Sequence, residues 1–371
     1  MQKAFVKGCK IELSHGILLI VRMEIFKKEY ALVIAYSLIY SFSSAGETLV
    51  IKALNYNAVP ISLPVYIAFL SNQLWIFMIP MYYFMKKSDC SKYIGQYVGM
   101  GVLIFAISLL RSIGANFLPG SLFSLLISTS ILFNMLLRWF WLKKKLTPLH
   151  IAAGFCCICS AVCICIDIRG DSSSIDASFA YGLQASIGAA FFVALTSVWQ
   201  EKIQPTWDNV NLRMVEMTIA ASVLASFLLI FVGIGTREFV QWTPTLVSAT
   251  ESSASLALVI GCSITLPILK LLVRNTKYSI IQVSSSFFFE FVQASSALLG
   301  SLSNVLLFSE PWGPGYIGAF LFLGLAFTFY SLGNVKSKKE IVLSSSILQI
   351  ENPIQLHVEH QGVKVAVSVW K

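Results

Sequence analysis

The sequence predicts an all-α integral membrane fold: ten transmembrane helices arranged as two inverted five-helix repeats around a central cavity. Three observations carry this expectation. Of 371 residues, 56% are hydrophobic and only 12% are charged, a balance foreign to water-soluble domains. Ten apolar runs reach the roughly 20 residues that a helix needs to cross a hydrocarbon core of about 30 Å. Between those runs the lysines and arginines alternate, 23 falling on one side of the membrane and four on the other, as the positive-inside rule requires.

The elements follow in order. Residues 1–29 form a basic segment expected in the cytosol. Its apolar stretch Ile17–Val21 runs straight into Arg22, Glu24, Lys27 and Lys28 and is too short for a signal-peptide core, so the first span is its own targeting signal. Spans are expected at approximately 30–53, 60–84, 94–112, 119–141 and 148–167, making a first repeat over 30–167. A polar loop at 168–177, within "DIRGDSSSIDA", separates it from a second repeat over 178–333 with spans at 178–201, 212–235, 253–273, 278–308 and 312–333. An odd number of spans per half makes the second half enter from the opposite face, the inverted arrangement of many secondary transporters. A polar tail, 334–371, is expected to be mobile and cytosolic, which places both termini on the same side. Pro64, Pro80 and Pro267 fall inside spans, where each removes a backbone hydrogen bond and permits a bend.

The net charge of +9 is therefore a topology signal. It brings anionic lipid to the cytosolic leaflet and lends no support to nucleic-acid binding. Cys156, Cys157, Cys159, Cys163 and Cys165 lie in one apolar segment, where thiols act as small hydrophobes. No metal site is expected, because no histidine accompanies them in a span, and His357 and His360 of the tail read as solvated. No cofactor is expected, and neither a phosphate-cradling glycine loop nor an intramembrane histidine suggests an enzyme.

The chemistry concentrates in "SSSFFFEFVQASS", Ser284–Ser296. A charge at the bilayer centre costs about 2.5 kcal/mol or more, yet Glu290 stands in the middle of this apolar run. Steps of three and four on a helix share a face, and from Glu290 they give Gln282, Ser286, Gln293, Ala297, Ser301 and Asn304. This stripe is expected to border a water-filled cavity rather than lipid. Span one repeats the pattern with Tyr36, Tyr40, Ser43 and Glu47. The expected substrate-binding residues are accordingly Gln282, Ser286, Glu290, Gln293, Tyr36, Tyr40 and Glu47. Lys52, Lys270 and Arg274 read as helix-end residues reaching an interface, and Arg213 with Glu216 as an ordinary helical ion pair.

Two junctions echo each other: "LKKKLTPLHIAAGF" before span five and "FSEPWGPGYIGAF" before span ten. With ten spans in two halves, these resemble the drug/metabolite transporter superfamily, its EamA-like and nucleotide-sugar-transporter-like carriers, over about residues 30–333. "SVWQEKIQPTWDNVNLRM", Ser197–Met214, is similar to the segment joining spans six and seven of nucleotide-sugar transporters, with Glu201, Lys202, Leu212 and Arg213 matching. Where those carriers have a lysine at the start of span nine, this chain has Ser284–Ser286.

The resemblance implies alternating-access carriage of a small polar metabolite. The function expected is secondary-active transport of a small polar organic metabolite, with Glu290 carrying a proton or a solute charge. A nucleotide-sugar antiporter of the secretory pathway and a non-transporting membrane scaffold are the alternatives. Expected partners are a small-molecule substrate and membrane lipid, with homodimerisation left open. The Golgi, endoplasmic reticulum or vacuolar membrane is weakly preferred.

Overall fold

The computed structural model of the protein describes residues 31–54, 64–85, 91–144, 146–171, 177–238, 253–309, 313–351, 354–360 and 363–369. The expected basic segment 1–29 and most of the loop 168–177 lie outside the described side chains.

Helix α1 covers 31–54. Helices α2 (Pro64–Ser71) and α3 (Trp75–Tyr83) form one apolar segment broken at 72–74, and α5 (Gly120–Ile127) and α6 (Ser130–Trp141) form another broken at 128–129. Between them runs α4 (Ile94–Phe117). Then come α7 (Pro148–Asp171), α8 (Ala177–Ile203), α9 (Val210–Gly235), α10 (Ser253–Val283), α11 (Ser286–Phe308) and α12 (Pro314–Glu351). Among the described residues, seven helical segments are long and apolar enough to cross a membrane: Pro64–Tyr83, Ser91–Phe117, Gly120–Trp141, Ala177–Thr206, Val210–Gly235, Val259–Val283 and Ser286–Phe308. Pro148–Cys163 and Pro314–Tyr330 are shorter apolar helices.

The distribution of polarity fits a multi-pass integral membrane protein. Leu38 and Phe42 on α1, Phe227 and Phe231 on α9, and Leu321 and Leu325 on α12 form exposed apolar stripes at helical spacing, which only lipid can cover at low cost. The interior holds Glu47, Asn72, Arg213, Glu290 and Asn304, all 1% exposed or less. Helices approach closely at glycines: a Cβ on Gly114 of α4 would sit 2.4 Å from the Ser186 hydroxyl of α8, the small-residue packing expected where no hydrophobic force drives association.

Three sequence expectations change. The proposed span 278–308 is two elements, because α10 runs to Val283 and α11 starts only at Ser286. Ser285 marks the break: it is extended and its hydroxyl accepts the Phe288 N–H at 3.2 Å, capping α11. Gln282 therefore sits at the end of α10, exposed, and does not share a helix face with Glu290.

Second, Lys270 and Arg274 are not helix-end residues reaching an interface; with Lys277, they sit inside the helix. They lie within the unbroken α10, with Lys270 and Arg274 each 7% exposed; Arg111 likewise lies inside α4. Their charge had marked the expected end of the span, whereas the helix continues and turns them inward. Third, the tail is structured. Helix α12 continues to Glu351. Beyond it β1 (Ile354–His360) pairs antiparallel with β2 (Val363–Val369), from Ile354 opposite Val369 to His360 opposite Val363. Among the prolines, Pro80 and Pro267 are inside helices, but Pro64 opens α2, where its missing N–H costs nothing.

Candidate functional site

Five helices, α1, α4, α8, α10 and α11, enclose a polar cavity. The space open to water centres is about 70 Å³, enough for several waters. Its apolar wall comes from Met100, Ile104 and Ile107 of α4 with Val193 and Val273. Aromatic rings close one end: Tyr40 meets Phe289 edge-on, with centroids 4.9 Å apart.

The polar lining includes four cations. Lys270, Arg274 and Lys277 are four and three residues apart on α10, which puts them on one face, and Arg111 joins from α4. The Lys270 ammonium donates to Glu47 Oε1 at 2.6 Å, and Arg111 lies 3.9 Å from Glu47 Oε2. Arg274 donates to the Ser222 hydroxyl. Lys277 donates to Thr196 Oγ1 at 2.9 Å and stands 5.0 Å over the Phe289 ring. Gln200, on the same face of α8 as Thr196, is fully buried, and among the described residues neither its amide nitrogen nor its amide oxygen has a hydrogen-bond partner.

A hydrogen-bonded chain leads from the cavity to the buried carboxylate. The Tyr40 hydroxyl donates to Gln293 Oε1 at 3.2 Å, Gln293 Nε2 donates to the Ser130 hydroxyl at 3.1 Å, and Ser130 donates to Glu290. Asn134 Nδ2 donates to the other Glu290 oxygen at 3.4 Å. Because Ser130 opens α6, the Glu290 carboxylate meets the positive end of that helix. Beyond Tyr40, Arg111 and Gln293 lies a second, smaller cavity, about 20 Å³ of the same open space, bordered by Ser44, Thr48, Ser124 and Ser296. The three residues line both cavities and form the partition between them. Farther along α11, Ser301 Oγ and Asn304 Oδ1 are buried without partners among the described residues.

The structure thus brings together part of the expected set. Tyr40 and Gln293 line the cavity, and Glu47 neutralises its lysine. Glu290 is 0% exposed and stands behind the wall, not among the lining residues. Tyr36 is half-buried against the cluster of Tyr40, Val273, Ile280 and Phe289. Ser286 is taken up elsewhere: its N–H donates to Glu201 Oε2 at 2.9 Å and its hydroxyl to the same oxygen. Glu201 also receives Arg138 at 3.2 Å and Lys144, so one carboxylate at the end of α8 ties α6, its following loop and the start of α11 together.

At the neighbouring junction, Arg213 pairs with Glu216 at 2.6 Å as expected and also with Asp208 at 2.9 Å. The Arg213 hydrogen bond pulls the Asp208 carboxyl down to about 2. Sequence reasoning missed Gln200, Arg111 and the α10 cations. The 270–274–277 spacing was the available signal.

The architecture defines a multi-pass membrane protein whose helices surround a partly open cavity with four cationic side chains in its lining. A family model described as "PUNUT: Purine nucleobase transmembrane transport" matches residues 37–340, and the chain belongs to this family. It is a membrane transporter and not an enzyme. The fold is similar to that of a solved structure described only as "Crystal structure of protein", with a TM-score of 0.53 and 12% identity over 81% of this chain and 97% of the other. No curated protein matches the sequence significantly. The family match overturns the expected membership among EamA-like or nucleotide-sugar-transporter-like carriers. The residues behind that expectation are the proline, glycine and charged residues of helix junctions, which report how helices turn and carry no information about the solute.

Proposed function

We propose that the protein carries purine nucleobases across the membrane by alternating access, with the cavity between α1, α4, α8, α10 and α11 as the solute site. The observation that carries this reading is the Gln200 amide, a donor and an acceptor buried side by side with no partner among the described residues. A carboxamide pairs in bidentate fashion with the donor and acceptor edge of a purine, and flat aromatic walls suit its faces. Tyr40 and Phe289 supply such walls, and Gln293 offers a second amide beside them. Glu47 acts by holding Lys270 and Arg111 in place.

In this reading ten crossings form two inverted halves, 30–167 and 178–333, with both termini cytosolic. The Tyr40–Gln293 hydrogen bond and Arg111 divide the route into two chambers that open in turn. Glu290, reached through Gln293 and Ser130, couples transport to protons. The test is uptake of labelled purine nucleobases into proteoliposomes under an imposed pH gradient. Wild type is expected to accumulate purine when the gradient is present, and Glu290→Gln to exchange it without responding to pH. Purine uptake no faster than in empty liposomes would overturn the proposal, and an unchanged pH response in Glu290→Gln would remove the coupling role.

A further inference from the structure

The charge inside the cavity does not balance. Four cations line it, Arg111, Lys270, Arg274 and Lys277. The carboxylates nearby are Glu47, already shared between Lys270 and Arg111, and Glu290, held behind the wall by Ser130 and Asn134. Among the described residues neither Arg274 nor Lys277 has a carboxylate within ion-pair distance; their partners are the Ser222 and Thr196 hydroxyls. A neutral hydroxyl does not offset a buried charge, and low-dielectric walls focus the surplus field into the cavity. Gln200 adds an unpartnered amide from α8, one turn beyond Thr196. A neutral base would leave this surplus standing, whereas a monoanion would offset one unit of it.

We propose that the solute is taken as an anion: an oxopurine that has lost a ring N–H proton, its delocalised charge set against Arg274 and Lys277 and one edge paired with the Gln200 amide. This rests on the purine reading above and narrows it. Carbonyl-rich purines, whose ring N–H groups are acidic, are then the favoured substrates over aminopurines, which stay neutral. Arg274 presents a planar fork that matches the acceptors of such an anion, and Lys277 a point charge.

The experiment is direct binding to the purified full-length protein in detergent, by isothermal calorimetry, with urate, xanthine, adenine and fully N-methylated xanthine, which has no proton to lose. Urate and xanthine are expected to bind at least about tenfold more tightly than adenine or the methylated xanthine, the value of one charge-assisted hydrogen bond. Arg274→Gln and Lys277→Gln are each expected to weaken urate and xanthine binding at least about tenfold and so erase that preference, and Arg274→Lys to keep part of it. The wild-type comparison decides the matter even if a variant fails to fold. Adenine binding as tightly as urate would overturn the anion proposal and leave the purine site standing. Absence of binding by every purine would overturn both.

Discussion

Removing the charge of Glu47 tests how the cavity holds its cations. In Glu47→Gln the side chain keeps its shape, but Lys270, 9% exposed at the side chain, and Arg111, 14% exposed, lose the carboxylate they share. At the 2.6 Å of the Lys270 contact, unit charges in a medium of effective dielectric about 20 attract by roughly 6 kcal/mol. Desolvation offsets part of this, and stranding one partner of a buried pair costs about 3–5 kcal/mol. Replacing both partners, Glu47→Gln with Lys270→Met, removes the stranded ammonium and is expected to recover at least about 2 kcal/mol relative to the sum of the single variants. Equilibrium unfolding in mixed micelles by titration with a denaturing detergent gives the three free energies. Additivity within about 0.5 kcal/mol would refute the claim that these side chains act as a pair.

Two further outcomes follow from particular contacts. The Asp208 carboxyl, whose ordinary value is 3.8, is lowered to about 2 by its bond to Arg213; because the folded value is the lower, its contribution to stability is present above pH 4 and is lost as pH falls toward 2. The difference in unfolding midpoint between wild type and Asp208→Asn should therefore be constant from neutral pH to about pH 5 and shrink below pH 4. In Glu201→Gln, the clamp among Arg138, Lys144 and Ser286 is expected to loosen, and a cysteine placed at Ser284 should then react faster with a membrane-impermeant maleimide than in the parent. Equal rates would show that the clamp does not hold α8 to the start of α11.

Much of the membrane plan could be read from the chain, because an apolar run of about 20 residues has few other uses. The three-and-four spacing rule also reached the site: it placed Tyr40 and Glu47 on one face of α1, and Gln293 and Glu290 on one face of α11. The α10 cations satisfy the same rule, yet their charge reads as the end of a span, since a charged residue in lipid is costly. In the fold they face a cavity instead of lipid, and Glu47 offsets part of the cost of burying them. The break at Ser284–Ser285 was hidden for a related reason, as serines inside an apolar run read as helix-packing residues. Gln200 precedes the Glu201–Lys202 pair and carries no periodic signature. Only the packing of α8 against α4 and α10 shows that its amide faces the cavity unpartnered.

The central claim, that purine occupies this cavity, is tested most directly by protection from chemical modification. Ile107 lines the cavity from α4 and makes none of its polar contacts, whereas Val102 on the same helix is 48% exposed toward the lipid side. In a background lacking native cysteines, Ile107→Cys and Val102→Cys are treated with a small thiol-reactive reagent at rising purine concentration. The expected result is that purine slows modification at position 107 in proportion to its occupancy and leaves position 102 unaffected. Unchanged reactivity at position 107, at purine concentrations that saturate transport, would place the solute elsewhere and contradict the claim.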